Sequence, residues 1–593
     1  MLRCGGEGAD THRSGSPPPH LRTPFSMNRI EVPVLIVGAG PSGVMTALLL
    51  RRLGVDSCIV ERRAGPQRAP AAHVVNARTF EICRQAGVDM AAIACVAQSP
   101  ADAGATHWVT RLGGEVLGSL AFERQDDDVL SLTPTPLRNL SQHHFEPILL
   151  AALLDAGAAS PRYGQRWDSA AADSEGVTSK VTDVASGRSY EIRSRYVVGA
   201  DGAGSPVRKS LGIALNGPER LQSFVMIHFE ANLRALVRDC PGILYWIADP
   251  ACMGIFVAHD IDREWVFMHS WDPDRESAEQ YDAERCAALI RRAGVPSDVD
   301  VTIRTISPWM MTCQVAERYR DGRVLLVGDA AHRFPPTGGL GLNTGAQDAH
   351  NLAWKLAAVL AGDAPPALLD TYQSERQPVA QYNAEQSLHN AVRLMEVPHA
   401  LGFSEDADVA QRNFAAVLRD PSRRRAVTVA IEHQAEHFDM LGLQLGFSYE
   451  HGALVPDGSA KPVVSNPVRE LAVSSRQTVQ SPSLKYTLCG KRFGEAGGMR
   501  RSAKTLLRDS PRGRDRQGSP LKGFHRFGGY GGGSILSLQL KCLAEPLLAV
   551  LRGLIVEAMA SLIPQDLLRP ADGGVQCFGV VARDVEIFLG ELQ

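Results

Sequence analysis

The sequence predicts an α/β fold in which a Rossmann-like dinucleotide-binding domain is interrupted by an antiparallel sheet. Residues 32–63, VPVLIVGAGPSGVMTALLLRRLGVDSCIVERR, have the pattern of a strand, a glycine turn, a helix and a second strand. Short aromatic and β-branched runs, separated by turn residues, fill residues 222–271 and indicate antiparallel strands. A buried strand of parallel type follows in GRVLLVGDAAH, residues 322–332, and helical patterning then continues.

The composition excludes several classes of protein. The chain has 593 residues, 44% of them hydrophobic, which is enough for more than one domain. Its formal net charge of -3 gives no field that would attract nucleic acid, so we expect no nucleic-acid partner. No uncharged apolar run reaches the roughly 18 residues of a membrane helix. Because the eleven cysteines form no CxxC pair and no signal-peptide pattern is present, we expect a cytoplasmic location.

The turn GAGPSG predicts a site for the pyrophosphate of a dinucleotide. Gly38 permits the tight turn, Gly40 lets the backbone approach the phosphates, and Gly43 allows close packing of helix and strand. Ser42 lies in the same turn, and Glu61 ends the next strand, where its carboxylate can accept both hydroxyls of a ribose. The alternative is a glycine-rich turn that binds no ligand, since such a turn has the same glycines. A simple nicotinamide domain would continue with alternating strands and helices, which this chain does not do.

Two aspartates end buried strands in distant parts of the chain. Asp201 and Gly202 follow the run YVV, and Asp329 follows GRVLLVG. A carboxylate at a strand end can accept hydrogen bonds from sugar hydroxyls without being left unpaired in the core. The alternative is that each aspartate caps the helix that follows it. The repetition favours one ligand that is held from both segments.

These stretches resemble a known family. GAGPSG, YVVGADGAGSPVRKSLGI and GRVLLVGDAAHRFPPTGGLGLNTGAQDAHNLAWKL are similar to the three fingerprints of the FAD-dependent aromatic hydroxylases. These are single-component flavin monooxygenases of the phenol, 2,4-dichlorophenol and p-hydroxybenzoate hydroxylase kind. HVVNARTFEIC, LSQHHFEPILL and LLDTYQSERQPVA are similar to further stretches of the phenol-type branch. The resemblance covers residues 32–458 and implies FAD as the cofactor.

The resemblance assigns roles to individual residues. Asp329 matches the residue that bonds the ribityl chain of FAD, and Asp201 with Gly202 matches a motif that serves FAD and the reduced nicotinamide. The loop PPTGGLGLN approaches the isoalloxazine ring, where backbone N–H groups can stabilise negative charge. Gln142 matches a glutamine beside the flavin, although a polar residue at a helix start has the same appearance. The residues of that loop counted as cofactor-binding are Pro336, Gly341, Leu342 and Asn343.

The implied reaction is hydroxylation of a phenolic or related aromatic substrate. In this family NADPH or NADH reduces FAD, and O2 then gives a flavin C4a-hydroperoxide that transfers the hydroxyl group. His73 matches a catalytic position, and we expect it to act as a base with a pKa near neutrality. A histidine satisfied within the core or a loop is the alternative for His73. No metal-ligand spacing is found in the sequence.

The antiparallel sheet is expected to line the substrate pocket. The candidates for its apolar wall are Tyr245, Trp246, Phe256 and Met268. Other functions on the same scaffold remain open, namely an epoxidase, a polyketide-tailoring oxygenase, or a degraded homologue that binds flavin without activity.

The expected organisation has six parts. They are a disordered extension (1–28), a first FAD-binding part (29–215), a substrate-binding sheet (216–318), a second FAD-binding part (319–395), a helical segment (396–465) and a divergent C-terminal region (466–593). The family's C-terminal domain supports dimers, so a homodimer is expected, but residues 468–593 do not show that domain's pattern clearly. Their basic, glycine-rich stretch predicts partial disorder, with an RGG-like contact to nucleic acid as the alternative.

Overall fold

The computed structural model describes residues 29–454 and 464–471. The predicted extension 1–28 and most of the predicted C-terminal region lie outside the described residues. The strands are β1 (Ile30–Val37), β2 (Ser57–Glu61), β3 (Val74–Val75), β4 (Ala105–Val109), β5 (Val116–Ala121), β6 (Arg138–Asn139), β7 (Arg162–Tyr163), β8 (Gln165–Ala172), β9 (Val177–Asp183), β10 (Ser189–Gly199), β11 (Leu215–Asn216), β12 (Gln222–Glu230), β13 (Leu244–Ile247), β14 (Gly254–Asp260), β15 (Glu264–Ser270), β16 (Thr302–Met311), β17 (Gln314–Ala316), β18 (Arg320–Asp321), β19 (Val324–Leu326) and β20 (His332–Arg333). The helices are α1 (Pro41–Arg52), α2 (Ala77–Ala86), α3 (Met90–Val96), α4 (Pro100–Ala103), α5 (Gln142–Asp155), α6 (Pro206–Ser210), α7 (Ala283–Arg292), α8 (Leu340–Ala361), α9 (Asp370–Leu394), α10 (Glu396–Ala400), α11 (Ala407–Arg419), α12 (Pro421–Glu432) and α13 (Leu441–Leu445).

A sheet of largely parallel strands forms the dinucleotide-binding part. Its strand order is β18-β19-β10-β1-β2-β7, and β19, β10, β1, β2 and β7 run parallel to one another. Strand β18 is antiparallel to β19, and the β8–β9 hairpin joins β10 through an antiparallel pairing. The central strands are apolar and buried on both faces, as helix-covered parallel strands must be.

The carboxyl ends of parallel strands meet at one edge of a sheet. Gly38, Glu61, Asp201 and Asp329 are therefore brought to the same side of this sheet.

A seven-stranded sheet packs beside this domain. Its order is β16-β12-β15-β14-β13-β4-β5, and only the β13–β4 pair among these neighbours is parallel. Strands β4 and β5 come from residues 105–121, which the sequence analysis placed in the first FAD-binding part. They were missed because β4 pairs with a strand more than a hundred residues away, and local patterning carries no signal for that pairing.

The two faces of this sheet contact different groups, and this corrects the predicted pocket wall. Side chains alternate along a strand. Tyr245 and Phe256 therefore point into one apolar core with α7, whereas Trp246 and Met268 point to the opposite face, towards α10–α12. The predicted fold class is confirmed: a Rossmann-like domain, an inserted antiparallel sheet and a helical C-terminal part. None of the helices in the described ranges is long and apolar enough to cross a bilayer.

A buried ion pair links α8, which lies in the third fingerprint stretch, to α9. Arg376 and Asp348 both have fully buried side chains, and the Arg376 Nε lies 2.8 Å from the Asp348 Oδ1. Removal of one partner leaves an uncompensated buried charge, which costs several kcal/mol.

We expect Arg376→Met to lower the free energy of unfolding by about 3–5 kcal/mol, since Asp348 would lose its cation. The matched control is Arg166→Met, which breaks an exposed pair with Asp168 and costs about 0–1 kcal/mol. Urea denaturation of both variants measures the difference. Equal losses would show that Arg376 does not stabilise the buried carboxylate.

Candidate active site

The glycine turn has the geometry of a phosphate cradle. Gly38 has φ +108°, and a Cβ built on it would lie 2.2 Å from the Ala200 carbonyl oxygen. A Cβ on Gly43 would lie 2.1 Å from the Gly38 oxygen, so neither position accepts a side chain. A Cβ on Gly40 would meet no atom within 4 Å. Gly40 precedes α1, whose first turn has no side-chain cap, so its N–H groups face open space.

Two other residues of the predicted site brace this turn. The Glu61 carboxylate accepts hydrogen bonds from the Ala39 N–H at 2.9 Å and the Arg63 N–H at 2.8 Å. Burial opposes its charge, but these bonds and the Arg63 guanidinium hold the pKa of Glu61 below its ordinary value. The Ser42 hydroxyl lies against Gly345 and Gly328, where a Cβ would come within 2.2 and 2.5 Å of it. Ser42 therefore sets the spacing between α1, α8 and the turn that contains Gly328 and Asp329.

Asp329 presents an unused carboxylate. Gly328, Asp329 and Ala330 form a single helical turn after β19. Within the described ranges, the Asp329 carboxylate forms no hydrogen bond or ion pair, and its side chain is exposed in a cleft beside Gly341, whose Cβ would lie 3.9 Å from Oδ1. Desolvation by the surrounding protein raises the pKa of Asp329, with His332 and Arg333 acting in the opposite direction. An acceptor of this kind suits a hydroxylated ligand chain.

Asp201 differs from Asp329 because protein groups already occupy its carboxylate. It accepts the Ser205 hydroxyl at 2.5 Å and the Val207 N–H at 2.9 Å, at the start of α6. The helix-capping alternative therefore describes its observed contacts. Burial raises the pKa of Asp201. The neighbouring Gly202 has φ +79° and open space around its Cα, and its contact with a cofactor stays a prediction.

The start of α8 offers backbone N–H groups beside the Asp329 carboxylate. Pro336 is exposed in the loop before the helix, and the N-cap is Gly339, which supplies no side chain. The N–H groups of Leu340, Gly341 and Leu342 have no intrahelical acceptor. A cofactor edge with developing negative charge fits this end of the helix.

Asn343 has another role than the predicted one. As the fourth helical residue its N–H lies inside the hydrogen-bonded helix. Its side chain is buried, accepts from the Asn76 N–H and the Thr79 hydroxyl, and donates to the carbonyl oxygens of Val74 and Gly339. Asn343 thus fixes β3 and α2 to the start of α8.

Gln142 begins α5 and has protein partners. Its N–H donates to the Ala72 oxygen at 2.8 Å, and its Nε2 donates to the Glu146 Oε1 at 2.7 Å. The polar helix-start alternative accounts for these contacts. Gln142 is half-buried, and its hydrogen bond to Ala72 places it near His73. Its proximity to a flavin stays a prediction.

His73 lies where the dinucleotide-binding part meets the seven-stranded sheet. It precedes β3, which Asn343 ties to α8, and its ring stands edge-on to His259 of β14 with centroids 5.6 Å apart. The Asn139 amide donates to the Ala103 oxygen, which turns its Oδ1 towards the His73 Nδ1 at 3.1 Å. Nδ1 therefore carries the hydrogen and Nε2 keeps a lone pair. Burial lowers the pKa of His73 to about 4, contrary to the predicted near-neutral value.

One buried group at the site was not predicted. The Asp348 carboxylate accepts hydrogen bonds from the Gly328 N–H at 3.2 Å, from His332 Nε2 at 2.7 Å and from Arg376. Burial would raise its pKa, but Arg376 and His332 hold it below the ordinary value. Asp348 lies in the quoted stretch GAQDAH. Its role was missed because a polar residue in a helical pattern is ordinarily placed on the surface.

Comparison with known proteins decides the family. Residues 31–387 match the family described as "FAD binding domain". The 2,4-dichlorophenol 6-monooxygenase of Delftia acidovorans is 34% identical over 457 residues, which cover 73% of this chain and 76% of that protein. The chain belongs to the FAD-dependent aromatic hydroxylases. The predicted family, enzyme class and FAD cofactor are thereby confirmed.

Other proteins named as monooxygenases or hydroxylases are also similar to this chain. The tetracenomycin B2 monooxygenase-dioxygenase of Streptomyces olivaceus is 37% identical over 376 residues, covering 61% of this chain and 69% of that protein. A relative from Streptomyces coelicolor, 42% identical, is matched over 58% of its length. The crystal structure of the flavin-dependent monooxygenase PieE with FAD and substrate has a TM-score of 0.70 and 37% identity, covering 74% of this chain and 79% of that chain.

The chain's own geometry fits FAD. The open space over Gly40, the unpaired Asp329 carboxylate and the bare N-terminus of α8 lie along one edge of the parallel sheet. They suit, in that order, a pyrophosphate, a ribityl chain and an electron-accepting ring.

Two glycine variants should separate folding from cofactor binding. Gly40→Ala is compatible with the observed φ of −76°, so the FAD-free protein should lose no stability, while FAD affinity falls about tenfold or more because the methyl group occupies the cradle. Gly43→Ala should instead cost about 1–3 kcal/mol of unfolding free energy. Equilibrium dialysis and urea denaturation give the two readouts. Unchanged FAD affinity in Gly40→Ala would contradict the cradle.

The two aspartates should respond differently to removal. Asp329→Ala should weaken FAD binding by about 1.5–3 kcal/mol without destabilising the FAD-free fold, since the carboxylate has no partner among the residues that the structure describes. Asp201→Ala should destabilise the FAD-free fold by about 1 kcal/mol through the lost cap. Thermal unfolding of both FAD-free variants, with FAD titration, tests this. Full FAD affinity in Asp329→Ala would disprove its assignment.

Proposed function

We propose that this aromatic hydroxylase acts on a phenolic ring bound between His73 and the seven-stranded sheet, with O2 and NADPH or NADH as cosubstrates. The observation that carries the proposal is the position of His73. It joins the α8 end of the cofactor site to the face of the sheet that bears Trp246 and Met268. Phe122 and Phe438 pack together on the same side, with ring centroids 5.7 Å apart. A planar aromatic ring suits such surroundings.

FAD, when bound, supplies the redox chemistry, and the protein binds, orients and shields the reactants. The N-terminus of α1 would hold the pyrophosphate, and Glu61 would receive the adenosine ribose beside the turn that it braces. The Asp329 carboxylate would accept hydrogen bonds from the ribityl hydroxyls. The N–H groups of Gly341 and Leu342 would stabilise negative charge at the ring end.

His73 acts on the substrate hydroxyl as a hydrogen-bond acceptor through Nε2. Its pKa of about 4 and a phenol pKa near 10 differ by about 6 units, so complete proton transfer to His73 would cost about 8 kcal/mol. A stoichiometric base is therefore disfavoured. A hydrogen bond to Nε2 raises the electron density of the ring without that cost, so no proton has to reach His73 before the ring is attacked.

Two further parts of the proposal concern partners. Among the described residues no second strand–glycine–helix unit is present, so the nicotinamide approaches the FAD-binding part itself, on the side of Gly202. A homodimer, supported by the resemblance, is tested by light scattering of the full chain.

The decisive experiment is a phenol screen. The FAD-loaded protein is mixed with NADPH or NADH and a panel of single-ring and fused-ring phenols, and products are analysed by mass spectrometry. We expect faster nicotinamide oxidation together with addition of one oxygen atom to the ring. Fused-ring products alone would favour the polyketide-tailoring alternative. Flavin binding with no product from any phenol would leave the degraded homologue.

The role of His73 can be tested by two substitutions. His73→Ala should lower substrate-stimulated turnover by about 10²-fold and leave FAD binding intact. His73→Gln keeps an acceptor oxygen and should recover most of the loss if a hydrogen bond, rather than proton uptake, is what His73 provides. The deficit of His73→Ala should shrink as pH rises towards 10, where the phenol ionises unaided. A loss that is equal at every pH would indicate that His73 only positions the substrate.

A further inference from the structure

Four side chains from three distant segments of the chain converge where α5 meets the seven-stranded sheet. His143 and His144 lie in the first turn of α5, His228 is on β12, and Glu264 begins β15. His228, His143 and His144 direct their Nε2 atoms at one carboxylate, with N–O distances of 3.0, 3.2 and 3.5 Å to Glu264. The ligand atoms of His143, His144 and Glu264 all lie within 4.8 Å of one another.

These distances match the spacing of ligands around a metal ion. Ligand atoms about 2.0–2.1 Å from a tetrahedral zinc ion are about 3.3 Å apart. Imidazole nitrogens together with one carboxylate oxygen form a donor set that suits Zn²⁺ and is compatible with its tetrahedral coordination. The 3.5 Å separation between His144 and Glu264 is too long for a good hydrogen bond, so direct hydrogen bonding does not account for the whole arrangement.

Burial and charge favour the same occupant. The Glu264 side chain is only 15% exposed, so its carboxylate is largely buried against the histidines. Within the described part of the chain, the Nδ1 atom of His143 is buried and has no hydrogen-bond partner. The ring can therefore carry its hydrogen on Nδ1 and offer an Nε2 lone pair. His144 is 48% exposed and gives an ion access from solvent.

We propose that His143, His144 and Glu264 bind one Zn²⁺ ion that clamps the FAD-binding part to the seven-stranded sheet. Three protein ligands leave the fourth tetrahedral position for a water molecule. His143 and His144 come from α5 and Glu264 from β15, while His228 of β12 orients the Glu264 carboxylate through a hydrogen bond. Binding to the folded chain alone raises the unfolding temperature.

The test uses the tag-free, FAD-loaded full chain after treatment with EDTA. Isothermal titration with ZnCl2 should show one site per chain, and X-ray absorption at the zinc edge should show nitrogen and oxygen ligands near 2.0–2.1 Å without sulfur near 2.3 Å. His144→Ala should weaken binding about tenfold or more, and Glu264→Gln should abolish it. The matched control His433→Ala removes an exposed histidine beside a single carboxylate and should bind zinc as the parent does.

Retention of FAD in each variant shows that the fold is intact. Folded variants that bind zinc as tightly as the parent would overturn the proposal. So would sulfur in the coordination shell, or a parent chain that binds no zinc, which would leave a hydrogen-bonded cluster only. If Glu264→Gln fails to fold, the exposed His144→Ala decides the question alone.

Discussion

The buried carboxylate of Asp348 is the constraint on which the cofactor site depends. A charge with no exposed surface is tolerated only when partners surround it, and here Arg376, His332 and the Gly328 N–H do so. These partners come from α9, β20 and the turn after β19, so the three elements must meet at α8. The same turn carries Asp329 into the cleft with its own carboxylate unpaired. One aspartate fixes the backbone so that its neighbour can serve a ligand.

How far the sequence predicts this structure depends on the range of each signal. The glycine turn and the Gly-Asp strand ends were recognisable because turn, strand and helix lie within a few residues of one another. The membership of β4 in the seven-stranded sheet was not, since it depends on pairing with β13. The face occupied by Tyr245 and Phe256 was likewise undecidable, because both faces of this sheet are apolar.

The candidate site shows the same division. Gly38 and Gly43 have the close backbone contacts expected of them, whereas the carboxylate of Asp201 is committed to a helix cap and the side chain of Asn343 to a structural cluster. The sequence predicted where these groups lie. It did not predict how much of their hydrogen-bonding capacity other groups of the protein would occupy. The low pKa of His73 was equally beyond reach, because it follows from burial by residues distant in the sequence.

Polar contacts, rather than apolar packing alone, orient the seven-stranded sheet over the candidate cofactor site. Ser141 would ordinarily cap α5, but its hydroxyl pairs with the His259 Nδ1 at 2.7 Å instead. His143 and His144 follow in the same turn and reach Glu264. Hydrogen bonds and ion contacts are directional, so they fix an angle that apolar surfaces would leave loose. Because His259 stands against the His73 ring, the start of α5 sets the position of the sheet relative to His73, the residue proposed to meet the substrate.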